Sequence, residues 1–223
     1  MAVPRNELKY YLDSAYVPLL FSRLSAAIPM DRHTLKNGDY RIRSLYFEDP
    51  CFTSFYDKLN GLENRVKYRL RFYNSDLSYI RLEKKEKKNR MCLKEFEVIT
   101  PALADNLLSQ APAEGGGALY GEMRAKICYD AFRPLLFVDY RRSAFLHPAG
   151  NVRITLDREV SVTRFISDLA DDLPPIPVLD GNTAVLEVKY DSFLPPYLSS
   201  LLVDIPKVSA SVSKFCLCAR ALY

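Results

Sequence analysis

The chain has 223 residues, of which 48% are hydrophobic and 26% charged, and its formal net charge is +4. These values are ordinary for a globular protein. A net positive charge this small gives no reason by itself to expect a nucleic-acid partner. Apolar runs fall short of the about 20 residues that a membrane-spanning helix needs, and the first residues lack the apolar segment of a signal peptide. We therefore expect one cytoplasmic domain over residues 1–223, with no membrane span of its own.

The N-terminal part of the chain alternates between strand and helix patterns. Residues 5–12 alternate like a strand, and a helix with a polar cap follows them through Ala27. A second alternating stretch covers residues 40–47. A short helix follows it, because Asp49–Pro50 is a typical helix start and Gly61 a typical end.

The next part of the chain predicts three successive strands. They cover residues 65–73, 79–88 and 92–99, and the turn NSDLS at 74–78 joins the first two. Strands this close in sequence form an antiparallel meander. Thr100–Pro101 then opens another helix.

The C-terminal half mixes helices and strands, and it completes an α+β fold dominated by antiparallel strands. Its predicted elements, in order, are a helix at 122–132, strands at 135–145 and 151–157, a Pro- and Asp-rich loop at 168–182, a strand at 184–190 and helices at 195–202 and 213–223.

The stretch RVKYRLRFY at 65–73 has an unusual charge pattern. Successive side chains of a strand point to opposite faces, so its cations at 65, 67, 69 and 71 share one face and its apolar residues share the other. Four like charges on one strand face repel each other unless an anion compensates them. Polar faces of this kind recur on further strands, through Arg5, Glu7 and Lys9; Arg41 and Arg43; Arg81, Glu83, Lys85 and Lys87; Tyr140 and Arg142; Arg153, Thr155 and Asp157; and Glu187 and Lys189.

Two architectures could accommodate these polar faces. They could be solvated outer faces of sheets that pack on helices. Alternatively, a closed antiparallel β-barrel would point its polar side chains into a wet, cation-lined lumen and its apolar side chains outward under a few flanking helices. We expect the barrel, because so many strands share the pattern and few helices are available to cover them.

The residue types on these faces point to phosphate chemistry. A guanidinium group offers planar, bidentate donors that match phosphate oxygens. Carboxylates hold Mg²⁺ or Mn²⁺, which bridges phosphate oxygens and neutralises charge during phosphoryl transfer. Cations with a few carboxylates on neighbouring strands therefore predict a site for a metal-bound triphosphate or polyphosphate.

The ordered motifs of the sequence resemble a known family. The chain is similar to the VTC domain, the catalytic domain of the vacuolar transporter chaperone polyphosphate polymerases, within the triphosphate tunnel metalloenzyme (CYTH) superfamily. The motifs that carry this resemblance are R-x-E-x-K-Y at 5–10, Y-F-E-D at 46–49, R-V-K-Y-R-L-R-F-Y at 65–73, L-E-K-K at 82–85, Y-R-R-S-A-F at 140–145, V-R-I-T-L-D at 152–157, L-E-V-K-Y-D at 186–191 and S-K-F at 213–215.

The resemblance implies roles for individual residues. Glu187 would bind Mn²⁺ or Mg²⁺ with Glu7 as a second carboxylate, and Arg69, Arg71, Glu187 and Lys189 would be catalytic. One departure from fungal members is Ser211, which stands where they carry a lysine. The implied phosphate contacts are Lys9, Arg69, Arg71, Lys85, Lys94, Tyr140, Arg142, Arg153, Lys189, Ser213 and Lys214.

The resemblance also implies an activity. The chain would move the γ-phosphoryl group of ATP to an inorganic polyphosphate chain, and a separate membrane protein would be a partner for export. Two alternatives stay open: a tripolyphosphate or nucleoside-triphosphate hydrolase, and a non-catalytic binder of polyphosphate or inositol phosphates. Nucleic-acid binding is disfavoured, because Tyr68 and Phe72 point away from Arg69 and Arg71, whereas single-strand binders need stacking and charge on one face.

Overall fold

The computed structural model describes residues 5–35, 37–89, 91–111, 114–171 and 173–223, and it has the expected α+β architecture. Its strands are β1 (Asn6–Asp13), β2 (Tyr40–Glu48), β3 (Arg65–Tyr73), β4 (Asp76–Lys88), β5 (Met91–Ile99), β6 (Arg133–His147), β7 (Val152–Arg164), β8 (Ile176–Pro177), β9 (Thr183–Tyr190) and β10 (Lys207–Ser209). Its helices are α1 (Val17–Ala27), α2 (Thr53–Leu59), α3 (Pro101–Ser109), α4 (Ala118–Tyr129), α5 (Pro196–Val203) and α6 (Lys214–Leu222), with 3₁₀ turns at Ser14–Tyr16 and Ala149–Asn151. No helix in the described ranges is long and apolar enough to cross a membrane.

The strands form one mostly antiparallel sheet, and it does not close into a barrel. The order of neighbours is β10-β1-β9-β7-β6-β2-β3-β4-β5, with β8 paired to β7. The prediction of a closed barrel is therefore wrong. Within the described residues β5 pairs only with β4, and β10 is a strand of three residues that pairs with β1, so the two ends of the order are edges. Alternation in a sequence fixes the two faces of a strand, but it does not decide whether the outermost strands meet.

The backbone divides into two compact units. The first comprises the residues up to Arg41, Tyr140–Ser161 and Pro177–Ser213. The second comprises Ile42–Asp139, Val162–Ile176 and Lys214–Tyr223. The prediction of a single domain over 1–223 stays a prediction.

The apolar face of the central strands of the second unit lies under two helices. Leu70 of β3 and Leu82 of β4 are fully buried. They belong to one hydrophobic cluster with Leu107 of α3 and Met123 of α4. The alternation of RVKYRLRFY predicts this arrangement, because burying the apolar face leaves the cations of the strand on the other face.

The first unit repeats this construction. Leu186 and Val188 of β9 are fully buried. They share a hydrophobic cluster with Leu20 of α1 and Leu198 of α5. Glu187, the residue between them in sequence, therefore lies on the opposite face of β9.

The turn between β3 and β4 is tighter than the sequence predicted. Asn74 and Ser75 have positive φ angles of 52° and 61°, so β4 already begins at Asp76. Two consecutive residues with positive φ form the two-residue connection that matches the twist of a hairpin. The pairing then shifts between Arg71 and Tyr73, which marks a bulge near the turn.

Candidate functional site: two clusters of cations around carboxylates

The second unit holds a cluster of cations around one buried carboxylate, Glu83. Glu83 lies directly opposite Arg69 in the β3–β4 pairing, and Arg81 lies opposite Arg71. Lys94 comes from the neighbouring strand β5. We call these residues the Glu83 cluster. Directly opposed residues share a face of the sheet, so pairing brings these side chains to one face.

The contacts of Glu83 are short and its side chain is only 1% exposed. Its Oε2 accepts hydrogen bonds from Nε and Nη2 of Arg69, at 2.8 and 2.5 Å. Its Oε1 accepts one from Nζ of Lys94 at 2.9 Å. Arg81 and Arg71 approach the same carboxylate to 3.5 and 3.8 Å. One carboxylate thus orders four cations.

These contacts determine the protonation of the cluster. Burial alone would raise the pKa of Glu83, but the positive charges of Arg71, Arg69 and Lys94 outweigh it and hold that pKa well below its ordinary value. Burial, together with the two arginines, lowers the pKa of Lys94 to about 8 in spite of its contact with Glu83. The carboxylate is therefore ionised at neutral pH, and the cations still outnumber it four to one.

A hydroxyl and a row of lysines flank the Glu83 cluster. Tyr46 of β2 accepts a hydrogen bond from Nη1 of Arg69 at 2.6 Å, which fixes that guanidinium from a second side. Lys85 lies opposite both Lys67 and Lys94 in the strand pairing. Burial lowers the pKa of Lys67 to about 8, and its Nζ lies 3.6 Å from the sulfur of Cys216. This face of β3, β4 and β5 is suited to a ligand with several anionic oxygens.

The first unit holds a second cluster, in which carboxylates and lysines alternate. Lys9 of β1 lies opposite Glu187 of β9, and Glu7 lies opposite Lys189. Nζ of Lys189 lies 2.5 Å from Oε1 of Glu187 and 3.5 Å from Oε1 of Glu7. Nζ of Lys9 lies 3.0 Å from Oε1 of Glu7. These four residues are the Glu187 cluster, and in it charges of both signs balance.

Two arginines of the same unit are held in fixed orientations. Arg142 of β6 makes two hydrogen bonds to Asp157 of β7, at 2.6 and 2.7 Å. Burial would lower the pKa of Arg142, but Asp157 reverses this and raises it well above its ordinary value. Its guanidinium also lies 5.2 Å from the centre of the Tyr140 ring. Asp157 is completely buried, so it fixes the orientation of the Arg142 guanidinium and does not serve as a metal ligand.

Arg153, the second arginine predicted for this unit, lies beside the Glu187 cluster in the sheet. It stands opposite Lys189 in the β7–β9 pairing. Its Nη2 lies 3.2 Å from a carboxylate oxygen of Asp31 and donates to the hydroxyl of Tyr40, also at 3.2 Å. Its side chain is about one-third exposed, so part of it can reach a ligand.

The carboxylates of the Glu187 cluster fit a metal that phosphate oxygens complete. Among the described residues there is no group of three or more His, Cys, Asp or Glu side chains that could hold an ion alone. Glu7 and Glu187 nevertheless converge on one cation, the ammonium of Lys189. Opposite Glu187, the hydroxyl of Thr155 is buried and has no hydrogen-bond partner among the described residues. Mg²⁺ and Mn²⁺ often bind to one or two carboxylates plus substrate phosphates and water, so this donor set suits such a metal.

The structure brings together most, but not all, of the residues implied by the resemblance. It groups Arg69, Arg71 and Lys94 in one unit, and Glu7, Lys9, Glu187 and Lys189 in the other. Ser213 directly precedes α6 and Lys214 begins it. The metal and phosphate contacts of all these residues stay predictions.

Sequence reasoning did not identify Glu83, the residue at the centre of the Glu83 cluster, as a site residue. Glu83 stands within L-E-K-K and on the same strand face as Arg81 and Lys85, so the sequence contained the signal that it belongs to the cationic face. What was missing is the pairing that places it opposite Arg69. Asp157, the support of Arg142, was likewise identified only as a polar residue of its strand.

Several solved structures share this fold. The PH1819 protein of Pyrococcus horikoshii matches with a TM-score of 0.51 and 15% identity, covering 97% of this chain and 99% of that one. The putative adenylate cyclase of Bacillus halodurans matches with a TM-score of 0.53 and 12% identity, covering 96% of each chain. The putative adenylyl cyclase of Hippeastrum, described as having a dominant triphosphatase activity, matches with a TM-score of 0.52 and 17% identity, covering 96% of this chain and 95% of that one. Identities this low establish the fold alone.

The sequence itself identifies the family. No curated protein matches it. The model of the VTC domain, in contrast, matches residues 4–223, which is almost the entire chain. The motifs quoted above, the mostly antiparallel sheet and this match agree, and the chain belongs to the VTC domain family.

Proposed function

We propose that this protein is a metal-dependent phosphotransferase that moves the γ-phosphoryl group of ATP to the end of an inorganic polyphosphate chain. The observation that carries the proposal is the Glu83 cluster, in which four cations surround a single carboxylate on one face of the sheet. Such an excess of positive charge is costly without a polyanion to compensate it. Membership of the VTC domain family supports polyphosphate as that polyanion.

The residues of the second unit would bind and orient phosphate groups. Arg69 is held by Glu83 and Tyr46, so its guanidinium needs little reorganisation when an anion arrives. Arg71, Lys85 and Lys94 would supply further donors to phosphate oxygens. Phosphoryl transfer needs no covalent nucleophile from the protein, since positioning and charge neutralisation account for most of the catalysis.

The residues of the first unit would bind phosphate and hold the metal. Glu187 and Glu7 would bind Mn²⁺ or Mg²⁺, which supplies charge neutralisation on the phosphate oxygens when it is bound. Lys189 would then leave the two carboxylates and donate to phosphate. Further phosphate contacts would come from Lys9, Tyr140, Arg142 and Arg153, with Ser213 and Lys214 near the start of α6.

A hydrolase is the second candidate function. The same charges would bind a tripolyphosphate or a nucleoside triphosphate, and water would replace the polyphosphate chain as acceptor. The observation that favours it is the structural likeness to the Hippeastrum protein, which is described as having a dominant triphosphatase activity. A protein that binds polyphosphate or inositol phosphates without turnover is the third candidate for the same clusters. The cytoplasmic location and the membrane-protein partner stay predictions.

One experiment separates the three functions. Purified protein is incubated with ATP, a short polyphosphate primer and Mn²⁺ or Mg²⁺, and the products are resolved on a gel beside a free-phosphate assay. Chain growth that Glu187→Gln abolishes is the expected result, with Glu63→Gln, which removes an exposed carboxylate between α2 and β3, as the control. Free phosphate without chain growth would establish the hydrolase, and tight polyphosphate binding without either product would establish a binder.

A further inference from the structure

The cationic face of the second unit ends in an exposed aromatic residue. On β5, Lys94, Phe96 and Val98 share this face, and Glu83 lies directly opposite Phe96 in the β4–β5 pairing. Phe96 is 55% exposed, which is a large exposure for a phenylalanine in a strand of a globular protein. An apolar ring that stays more than half exposed beside a charged cluster gains little from burial, so its place calls for a further explanation.

The ring of Phe96 is held by a member of the Glu83 cluster. The guanidinium carbon of Arg81 lies 3.9 Å from the centre of the ring. The same guanidinium lies 3.5 Å from Glu83, so the contact with Glu83 ties the ring to the cluster. Arg81 covers one side of the ring, and the exposed remainder is available to a second planar group.

The distances on the sheet suit a mononucleotide. Neighbouring strands lie about 4.8 Å apart, so Phe96 on β5 is about 10 Å from Arg69 on β3, with Glu83 between them. Lys94 stands two residues from Phe96 on the same strand face. An open groove of about 520 Å³ borders the ring of Phe96, and it is lined by residues 94–97 of β5, Glu95 and Glu97 included, and by Gly117–Leu119. A base on the ring would therefore place the phosphates within reach of Lys94 and the two arginines of β3.

We propose that Phe96, supported by Arg81, stacks on the base of the nucleoside triphosphate whose phosphates bind Lys94, Arg69 and Arg71. Base stacking and phosphate neutralisation then occur on one face, whereas on β3 Tyr68 and Phe72 point away from Arg69 and Arg71. The inference rests on the proposed function, since it needs the Glu83 cluster to be the triphosphate site. It predicts that the protein distinguishes a nucleotide from inorganic tripolyphosphate through this ring.

The first test compares two ligands on one variant. Phe96→Ala should weaken the binding of a non-hydrolysable ATP analogue by at least fivefold in calorimetric titration, the lower end of the range for loss of one base–aromatic stack. Its affinity for inorganic tripolyphosphate should stay within twofold of wild type. The control is Val98→Ala, on the same face of the same strand and 49% exposed, which should change neither affinity.

The outcomes of this comparison separate the two proposals. If wild type binds tripolyphosphate and Phe96→Ala leaves the affinity for the ATP analogue unchanged, the stacking role of Phe96 is refuted and the phosphate site stands. If wild type binds neither ligand, the proposed function itself is refuted. Equal loss of both ligands in Phe96→Ala would mean that the ring only supports Arg81 and does not read the base.

A second test uses the lack of tryptophan in the sequence. Phe96→Trp introduces a single indole at the proposed stacking position, and a stacked purine should quench its fluorescence. ATP should therefore quench it strongly, whereas inorganic tripolyphosphate should not. Tyr129→Trp, at a position of α4 that is 87% exposed, is the matched control and should respond to neither ligand. Equal responses of Phe96→Trp to ATP and to tripolyphosphate would overturn the proposal.

Discussion

Glu83 holds the cations on one face of the second unit in fixed positions. Four cations converge on this carboxylate, whose side chain is 1% exposed. Without it, Arg69, Arg71 and Arg81 would repel each other on adjacent strands. Glu83 therefore acts as an internal counterion that holds the cations in place while leaving positive charge for a ligand.

The first prediction at the residue scale concerns the neutral variant Glu83→Gln. We expect it to lower the free energy of unfolding by about 3–5 kcal/mol, because removing one partner leaves buried charges uncompensated. The loss should shrink when tripolyphosphate is present, since the ligand supplies the missing negative charge. Thermal melts with and without tripolyphosphate measure both effects.

The control for this variant is Glu95→Gln, which removes an exposed carboxylate from β5. Surface substitutions of this kind change stability by about 0.5 kcal/mol or less. If Glu83→Gln also stays within that range, the carboxylate does not hold the cations together. If tripolyphosphate stabilises Glu83→Gln less than wild type, the ligand does not replace its charge.

The second prediction concerns the pH dependence of the same residue. The pKa of Glu83 is lower in the folded protein than its ordinary value of 4.5, so the folded state binds fewer protons than the unfolded state. The stabilisation from its ionised form is thus complete above about pH 4.5 and is lost as the pH falls through the folded-state pKa. The difference in stability between wild type and Glu83→Gln should decrease as the pH falls below about pH 4.5. Between pH 8 and about pH 5 it should not shrink, because the loss of Glu83 lowers the pKa of Lys94 further and so destabilises the variant more as the pH falls. Denaturant titrations at several pH values check this, and a difference that decreases between pH 8 and 6 would contradict it.

At the scale of the element, β3 separates function from stability on its two faces. Leu70 is fully buried in the hydrophobic cluster under α3 and α4. Arg71, its neighbour in sequence, points to the other face, where its Nε donates to Ser44 at 3.1 Å and its guanidinium approaches Glu83. Adjacent residues of one strand should therefore respond to substitution in opposite ways.

The third prediction tests this separation. Leu70→Ala should lower the free energy of unfolding by about 2–5 kcal/mol and leave the affinity of the folded protein for tripolyphosphate unchanged. Arg71→Ala should weaken tripolyphosphate binding by about 1.5–3 kcal/mol, the contribution of a charge-assisted hydrogen bond, with a smaller effect on stability. Denaturant unfolding and calorimetric titration on both variants measure the two quantities. An Arg71→Ala variant that loses stability but binds tripolyphosphate like wild type would show that the cation is structural.

The sequence predicted the elements well because the signals for them are local. Alternation located β3 and β5 almost to the residue, and Thr100–Pro101 marked the start of α3, where the Thr100 hydroxyl accepts a hydrogen bond from the Leu103 amide at 3.3 Å. Short elements such as β8 and β10 escaped prediction, because two or three residues carry no periodic pattern. The existence of the longer elements could thus be read from the chain, but not all their bounds: β7 runs to Arg164, seven residues past its predicted end, and α4 covers Ala118–Tyr129 instead of 122–132.

The pairing of the strands could not be read in the same way. A regular two-residue hairpin that starts from Tyr73 opposite Asp76 would not bring Glu83 opposite Arg69. The bulge between Arg71 and Tyr73 shifts the register, and only this shift creates the Glu83 cluster. Barrel closure was wrongly predicted for a related reason, since it depends on contacts between strands far apart in sequence.

At the scale of the whole molecule, the arrangement of charge matters more than its amount. The net charge is only +4. The Glu83 cluster alone contains four cations and one carboxylate, while the Glu187 cluster contains two of each sign. A protein with such a local excess of positive charge should be stabilised by a polyanion that fits the cluster, because a ligand that binds only the folded state shifts the unfolding equilibrium.

The last prediction concerns this stabilisation. At a concentration about 100 times its Kd, tripolyphosphate should contribute about 2.7 kcal/mol, which for a chain of this length corresponds to a rise in Tm of about 5–10 °C. Added sodium chloride should reduce the rise, since exposed charges are screened over about 8–10 Å at physiological salt, and the Lys94 side chain is 42% exposed. Scanning calorimetry with tripolyphosphate, and with sodium sulfate at equal ionic strength, measures the effect. An equal rise with sulfate would mean that any anion screens the cations, and the clusters would then not be a site for a phosphate chain.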